Sequence, residues 1–273
     1  MGFSVNTNAG ALTALQNLNK TDSLMQKVQS RINTGLKVAS AKDNAAVFNI
    51  AQGLRADLGG LNSAKASIDR AISTIDVAIS AGEAISDLLI EMKEKAVAAK
   101  DSGLDSDSRT ALNDEYKELR SQIQTIVDNA EFNGVNAVKD NDIVAILNPN
   151  ATNTLTIGAQ NLSLSGSIVS LTTTSSISTS TAATAVATAI DNSIKAVGAS
   201  LSKLGSGAKR LELQKTFVNK LSDSIEVGIG NLVDADLARE SANLQSMQVR
   251  QQLGLQALGI ANQAPSAIIS LFG

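Results

Sequence analysis

Between residues 190 and 232 the apolar positions recur three and four apart for six heptads. They are Ile190, Ile194, Val197, Leu201, Leu204, Ala208, Leu211, Val218, Ile225, Ile229 and Leu232, with Lys215 and Ser222 as the two polar interruptions. A stripe held at a period near 3.5 predicts a long helix whose seam faces other helices. A second long helix is predicted over residues 43–100. There Leu54, Leu58, Leu61, Ile68, Ile72, Ile75 and Ile79 keep the rhythm, Lys65 is the one polar position, and no proline intervenes. At 1.5 Å per residue such a helix is roughly 80 Å long and needs neighbours of similar length. Beyond Ala81-Gly82 the large side chains resume at Ile85, Leu89, Met92 and Ala96, out of phase with the first set, which predicts a change of winding or a modest bend.

Shorter helices complete the pattern. Residues 11–32 carry Leu12, Leu15, Leu18, Met25, Val28 and Ile32, interrupted by Asp22, and Thr34-Gly35 supplies a stop. Residues 105–129 carry Leu112, Tyr116, Leu119, Ile123 and Ile126, with Asp105 or Ser106 as the cap. Glu115, Lys117, Glu118 and Arg120 lie off that seam and read as a solvated face. Asn133-Gly134 marks a turn. The last helical segment opens at Asn231 and has apolar residues on two sides. Leu237, Leu244, Met247, Leu255 and Leu258 form one stripe; Val249, Leu253 and Ile260 form another. One partner helix cannot cover both, so this segment predicts self-association or a chaperone.

The centre differs. No residue between 143 and 190 is charged, and fourteen of the twenty-two residues from Ser163 to Thr184 are Ser or Thr. Short alternations at 154–157 and 162–165 predict weak hairpin strands, with Asn148-Pro149-Asn150 as a turn. Composition narrows the chemistry. The 273 residues include no Cys, His or Trp, one Tyr and two Pro. Without His or Cys the usual metal ligands, acid/base groups and thiol nucleophiles are missing, and no constellation nominates an active site, so neither an enzyme nor a cofactor is expected. A net charge of −3 without a basic tract gives no footprint for nucleic acid. There is no signal-peptide pattern and no apolar run of membrane-spanning length, so no membrane partner is expected.

Several blocks closely resemble one family. Val5-Asn6-Thr7-Asn8, Leu18-Asn19-Lys20 and the long block from Ile32 to Ala46 are similar to the N-terminal region of bacterial flagellin. Glu131-Phe132-Asn133-Gly134-Val135, Asn262-Gln263-Ala264-Pro265 and the tail from Ile268 to Phe272 extend the resemblance, which covers about residues 3–135 and 183–273. It implies a mainly α fold of long antiparallel helices in a coiled-coil-like bundle with a small central β-hairpin region. Residues 1–42 and 233–273 would form a terminal domain lining a filament core, residues 43–135 and 183–232 a helical rod domain, and residues 136–182 a small surface region.

The implied function is that of a type III exported, extracellular subunit of the flagellar filament. Its partners would be other flagellin subunits, an export chaperone and the filament cap. The assembly interface is then expected at Leu15, Leu18, Met25, Val28, Ile32, Leu237, Leu244, Met247, Val249, Leu253, Leu255, Leu258 and Ile260. Ser170, Thr172, Thr173, Thr174, Ser175, Ser176, Ser178, Thr179, Ser180 and Thr181 form a tract able to accept O-linked sugars, a plain polar loop being the alternative. Two other readings stay open at this point. One is the hook-filament junction protein of the same superfamily; the other is a secreted membrane-active helical protein.

Overall fold

The computed structural model describes residues 7–269, with side chains placed to residue 263. Val5 and Asn6, and Ser270 to Phe272 of the tail, lie outside the described residues. The elements run α1 (Ala9–Thr34), α2 (Ala45–Ala98), α3 (Ser106–Asn129), β1 (Ile143–Ile146), β2 (Thr154–Ile157), α4 (Ser180–Val233) and α5 (Leu237–Ile269). They group into two compact units, residues 1–56 with 224–273 and residues 57–223. Both α2 and α4 contribute to each.

In the terminal unit, Asn8 caps α1 by accepting a hydrogen bond from Ala11 N at 3.0 Å. Gly35 ends that helix at φ 71°, a left-handed conformation that only Gly adopts at little cost. The two connectors of this unit are joined by backbone bonds. Lys37 N donates to Val233 O at 2.7 Å and Ala235 N to Gly35 O at 2.8 Å. Beneath them Val38, Ala51, Ile229 and Val233 form a small core, flanked by Leu36, Phe48 and Leu232.

The middle unit has a continuous seam. Along α2, Leu61, Ala64, Ile68, Ala71, Ile75, Ala78, Gly82, Ile85, Leu89, Met92 and Ala96 are buried at strict three-four spacing, and Ala99, just past its end, continues the face. The phase slip expected near Ala81-Gly82 is therefore absent. Counting large side chains had placed Leu58, Lys65, Ile72 and Ile79 in the stripe; these are half-buried, and small residues occupy the inner positions instead. Their size is the reason: a Cβ on Gly82 would stand 2.7 Å from Leu201 Cδ2. The two helices run antiparallel, with Asp69 paired to Lys215 and Lys93 to Asp191. On α4 the seam is sharp, Ile190, Val197, Leu204, Leu211 and Val218 being fully buried at every seventh residue. This helix begins ten residues before its predicted start, because Thr179 Oγ1 caps Ala182 N at 3.1 Å and Ala183, Val186 and Ala187 extend the buried face.

On α3, Asp105 is the cap, accepting from Ser108 N at 2.7 Å, and Tyr116 and Ile123 are fully buried. Arg120 departs from the expected solvated face: it is half-buried and donates to the carbonyl of Ser175. Strands β1 and β2 pair antiparallel from Ile143↔Ile157 to Ile146↔Thr154. The hairpin sits on α2 and α4. Ile146 N donates to Ser67 Oγ at 3.1 Å, the Pro149 turn meets Gly60, and Ile157 fills the space left by Gly207. Residues 162–165, expected as a strand, are not one. Ser165 turns at φ 65° and donates to Leu171 O, so the segment is irregular, with Leu162, Leu164, Val169 and Leu171 plugged inward.

Candidate assembly surfaces

The first and last helices of the chain, α1 and α5, carry the thirteen residues singled out from the sequence, and they run antiparallel within the terminal unit. Asn8 Nδ2 donates to Ala261 O at 2.6 Å, Gln251 Nε2 to Asp22 Oδ1 at 2.8 Å, and Arg31 to Glu240 Oε1 at 2.9 Å. As the number rises along α1 it falls along α5, and Leu18 packs on Gly254 between these polar contacts. Asp22, which looked like a break in the α1 stripe, is thus a register contact. Sequence reasoning missed all three pairs. The available signal was the polar residue recurring inside each apolar stripe, but its partner lies more than 200 positions away and leaves no local trace.

The thirteen residues divide by exposure. Leu18 and Val28 are buried, and Met25, Ile32, Leu244, Met247 and Leu258 are half-buried. Leu15, Leu237, Val249, Leu253, Leu255 and Ile260 are exposed, Leu253 at 57% and Ile260 at 71%. Leu12 and Leu24 on α1 are exposed as well. The first group makes the seam between the two helices; the second is apolar surface that α1 leaves uncovered.

The Ser/Thr tract is also divided. Ser175 Oγ lies 2.8 Å from the Tyr116 hydroxyl, Ser180 Oγ donates to Lys100 O at 2.8 Å, Thr179 caps α4, and Ser170 contacts Ser193. Burial pushes the Tyr116 phenol above its ordinary pKa, opposed by the Ser175 hydroxyl and the Arg120 charge. Four of the ten hydroxyls thus hold the fold together. Thr172, Thr173, Thr174, Ser178 and Thr181 are exposed, and Ser176 is half-exposed.

Charge is used at helix ends. The Asp105 carboxyl is held below its ordinary value by the Ser108 backbone and hydroxyl, and Asp128 by Gln124 and Lys139. Lys95 is raised by its hydrogen bond to Glu115. Among the described residues no group of three or more acidic, His or Cys side chains could hold a metal ion, and no helix is long and apolar enough to cross a membrane.

The profile described as the bacterial flagellin N-terminal helical region matches residues 5–142, and that of the bacterial flagellin C-terminal helical region matches residues 187–272. The chain belongs to the bacterial flagellin family. It is 48% identical over 270 residues to flagellin FljK of Caulobacter vibrioides, covering 98% of each chain. It is 33% identical over 280 residues to a flagellin of Brucella melitensis, covering 98% of this chain and 99% of the relative. The fold is also that of a solved putative flagellar hook-associated protein from Vibrio parahaemolyticus, with a TM-score of 0.58 at 13% identity, covering 70% of this chain and all of that one.

Whole-length identity at this level to filament proteins makes this flagellin a structural subunit of the flagellar filament, polymerising with other flagellin subunits, and not an enzyme.

Proposed function

We propose that neighbouring subunits cover the exposed apolar side of α1 and α5, and that this burial drives growth of the filament. The observation that carries the reading is the outward set Leu15, Leu237, Val249, Leu253, Leu255 and Ile260 on helices whose mutual seam is already filled by Leu18 and Val28. Hidden area contributes about 25 cal/mol per Å², opposed by the cost of ordering the chain ends. Contacts of this kind join different surfaces of identical copies, so they repeat without closing and one subunit type suffices for a long polymer.

The same reading assigns residues 1–42 and 233–273 to the lining of the filament core, residues 43–135 and 183–232 to the surrounding rod, and residues 136–182 to its outer surface. Export to the cell exterior, with a chaperone covering the terminal helices until a cap guides insertion, follows from the same exposed surface. Thr172, Thr173, Thr174, Ser176, Ser178 and Thr181 are the hydroxyls open to O-linked sugars, and an intact mass equal to that of the bare chain would exclude them.

The test is a double substitution, Leu253→Glu with Ile260→Glu. Both side chains are exposed, so the monomer should keep its helicity and unfold at an unchanged urea midpoint. Elongation of filament seeds should stop. Normal elongation by this variant would refute the proposal.

A further inference from the structure

The middle unit carries two outward stripes of opposite charge. On α2, Glu83, Asp87, Ile90, Glu94 and Val97 are exposed at spacings of four, three, four and three, which places them on one helix face. On α4, Lys203, Ser206, Arg210, Leu213, Phe217 and Lys220 are exposed at spacings of three, four, three, four and three. Leu213 is 64% and Phe217 57% exposed, and Ile90 and Val97 are open to nearly half. None of the charged residues in either stripe forms an ion pair among the described residues.

The stripes do not meet within one molecule. Facing residues of α2 and α4 have numbers that add to 284, as in Asp69 with Lys215 and Lys93 with Asp191. Residues 83–97 therefore stand opposite 187–201 of the same chain, beyond the end of the basic stripe. Laid against each other from two copies, antiparallel as α2 and α4 already run, the stripes match at a sum of 303. Glu83 then meets Lys220, Ile90 meets Leu213, and Glu94 lies between Lys209 and Arg210. Three positions lack a complement: Asp87 stands opposite Thr216 and Phe217, Val97 opposite Ser206, and Lys203, at the end of its stripe, opposite Lys100.

We propose that this acidic-apolar face of α2 docks on the basic-apolar face of α4 in a second copy, displaced by 19 residues along the helix axes, or about 28 Å at 1.5 Å per residue. The contact is heterologous and leaves both stripes free at the two ends of any pair, so each copy recruits the next. Its charges select the register and the neighbour, and the Ile90–Leu213 pair supplies the apolar contact. It goes beyond the terminal-helix reading by adding a contact in a part of the chain whose own core is complete.

The chain has no cysteine, which makes the register directly testable. Ile90→Cys with Leu213→Cys places two thiols that one copy cannot join, since a disulfide needs Cα atoms within about 7 Å. Mild oxidation of seeded filaments should give a ladder on a non-reducing gel extending well beyond dimers, and neither single-cysteine variant should cross-link. Monomer bands only, or dimers from a single variant, would overturn the proposal. Independently, Glu83→Lys with Glu94→Lys should raise the critical concentration for seeded growth at least about tenfold, and adding Arg210→Glu with Lys220→Glu should restore it to within about threefold. An unchanged critical concentration, or no rescue, would overturn it equally. Failure of the terminal-helix reading is distinct: the Leu253→Glu, Ile260→Glu variant would elongate normally while these results stood.

Discussion

The middle and terminal units are both built from helices that carry apolar stripes, yet they use them differently. In residues 57–223, α2 and α4 bury a long, nearly unbroken face, down to alanines and to Gly82 and Gly207 at the closest approaches to Leu201 and Ile157. In the terminal unit, α1 and α5 meet along one edge, hold register through Asp22–Gln251 and Arg31–Glu240, and leave six of their thirteen interface candidates exposed. An apolar stripe therefore does not by itself mean a closed seam. One region has closed its seam, and the other keeps a row of large apolar side chains in solvent.

The strongest way to break that comparison is the same substitution in both places. Leu211→Asp puts a charge at a fully buried seam position and should lower the middle unit's stability by about 3 kcal/mol or more. Leu253→Asp, on the exposed side of α5, should stay within about 0.5 kcal/mol. Urea unfolding of the two monomers measures both; equal losses would erase the distinction.

A smaller effect sharpens it. A Cβ on Gly60 would stand 2.6 Å from Pro149 Cβ and 2.7 Å from its carbonyl oxygen, so Gly60→Ala should cost about 1–3 kcal/mol by pushing the hairpin off α2. Gly53, on the same helix but in the terminal unit, has nothing within 4 Å of that position. Gly53→Ala should therefore stabilise the monomer, by up to about 1 kcal/mol of helix propensity. The pair separates a glycine required by packing from one that is not.

The smallest expected effect is on acid sensitivity. Asp105 and Asp128 titrate below the ordinary 3.8 in the folded chain, because hydrogen bonds to Ser108 and from Gln124 and Lys139 favour the charged form. A lowered folded pKa gives stability that is present above 3.8 and lost as pH falls through the folded value. Asp105→Asn keeps a capping oxygen and removes the titration. Its monomer stability should fall less steeply than that of the parent chain on acidification below about pH 4, as read by urea midpoints across that range. An identical slope would show that the cap charge contributes nothing.

Much of this was legible in residue order, and the exceptions have physical causes. On α4 every seventh position, Ile190 to Val218, could be read directly, but between them small Ser193, Ser200 and Gly207 are buried while the expected Ile194, Leu201, Ala208 and Lys215 are half-buried. On α2 the inner positions alternate between large residues and Ala or Gly, so a reading by side-chain size chose the half-buried neighbours Ile72 and Ile79 and inferred a slip that is not there. Strand β1 lay at the edge of an uncharged segment with no alternation strong enough to single it out, and it is fixed from outside, by Ser67 on α2. Arg120 looked solvated because its partner, the Ser175 carbonyl, is 55 positions away. The thirteen interface candidates were visible as apolar, but which of them face α1 or α5 and which face outward depends on the register set by distant polar pairs.

Amide hydrogen exchange on the unassembled and assembled chain tests the central contrast most directly. In the monomer, amides of α2 and α4 between residues 61 and 99 and between 190 and 218 should be protected by several orders of magnitude more than those of α1 and α5, and only the latter should gain strong protection in the filament. Terminal helices already as protected in the monomer as the middle ones, with no gain on assembly, would contradict the account.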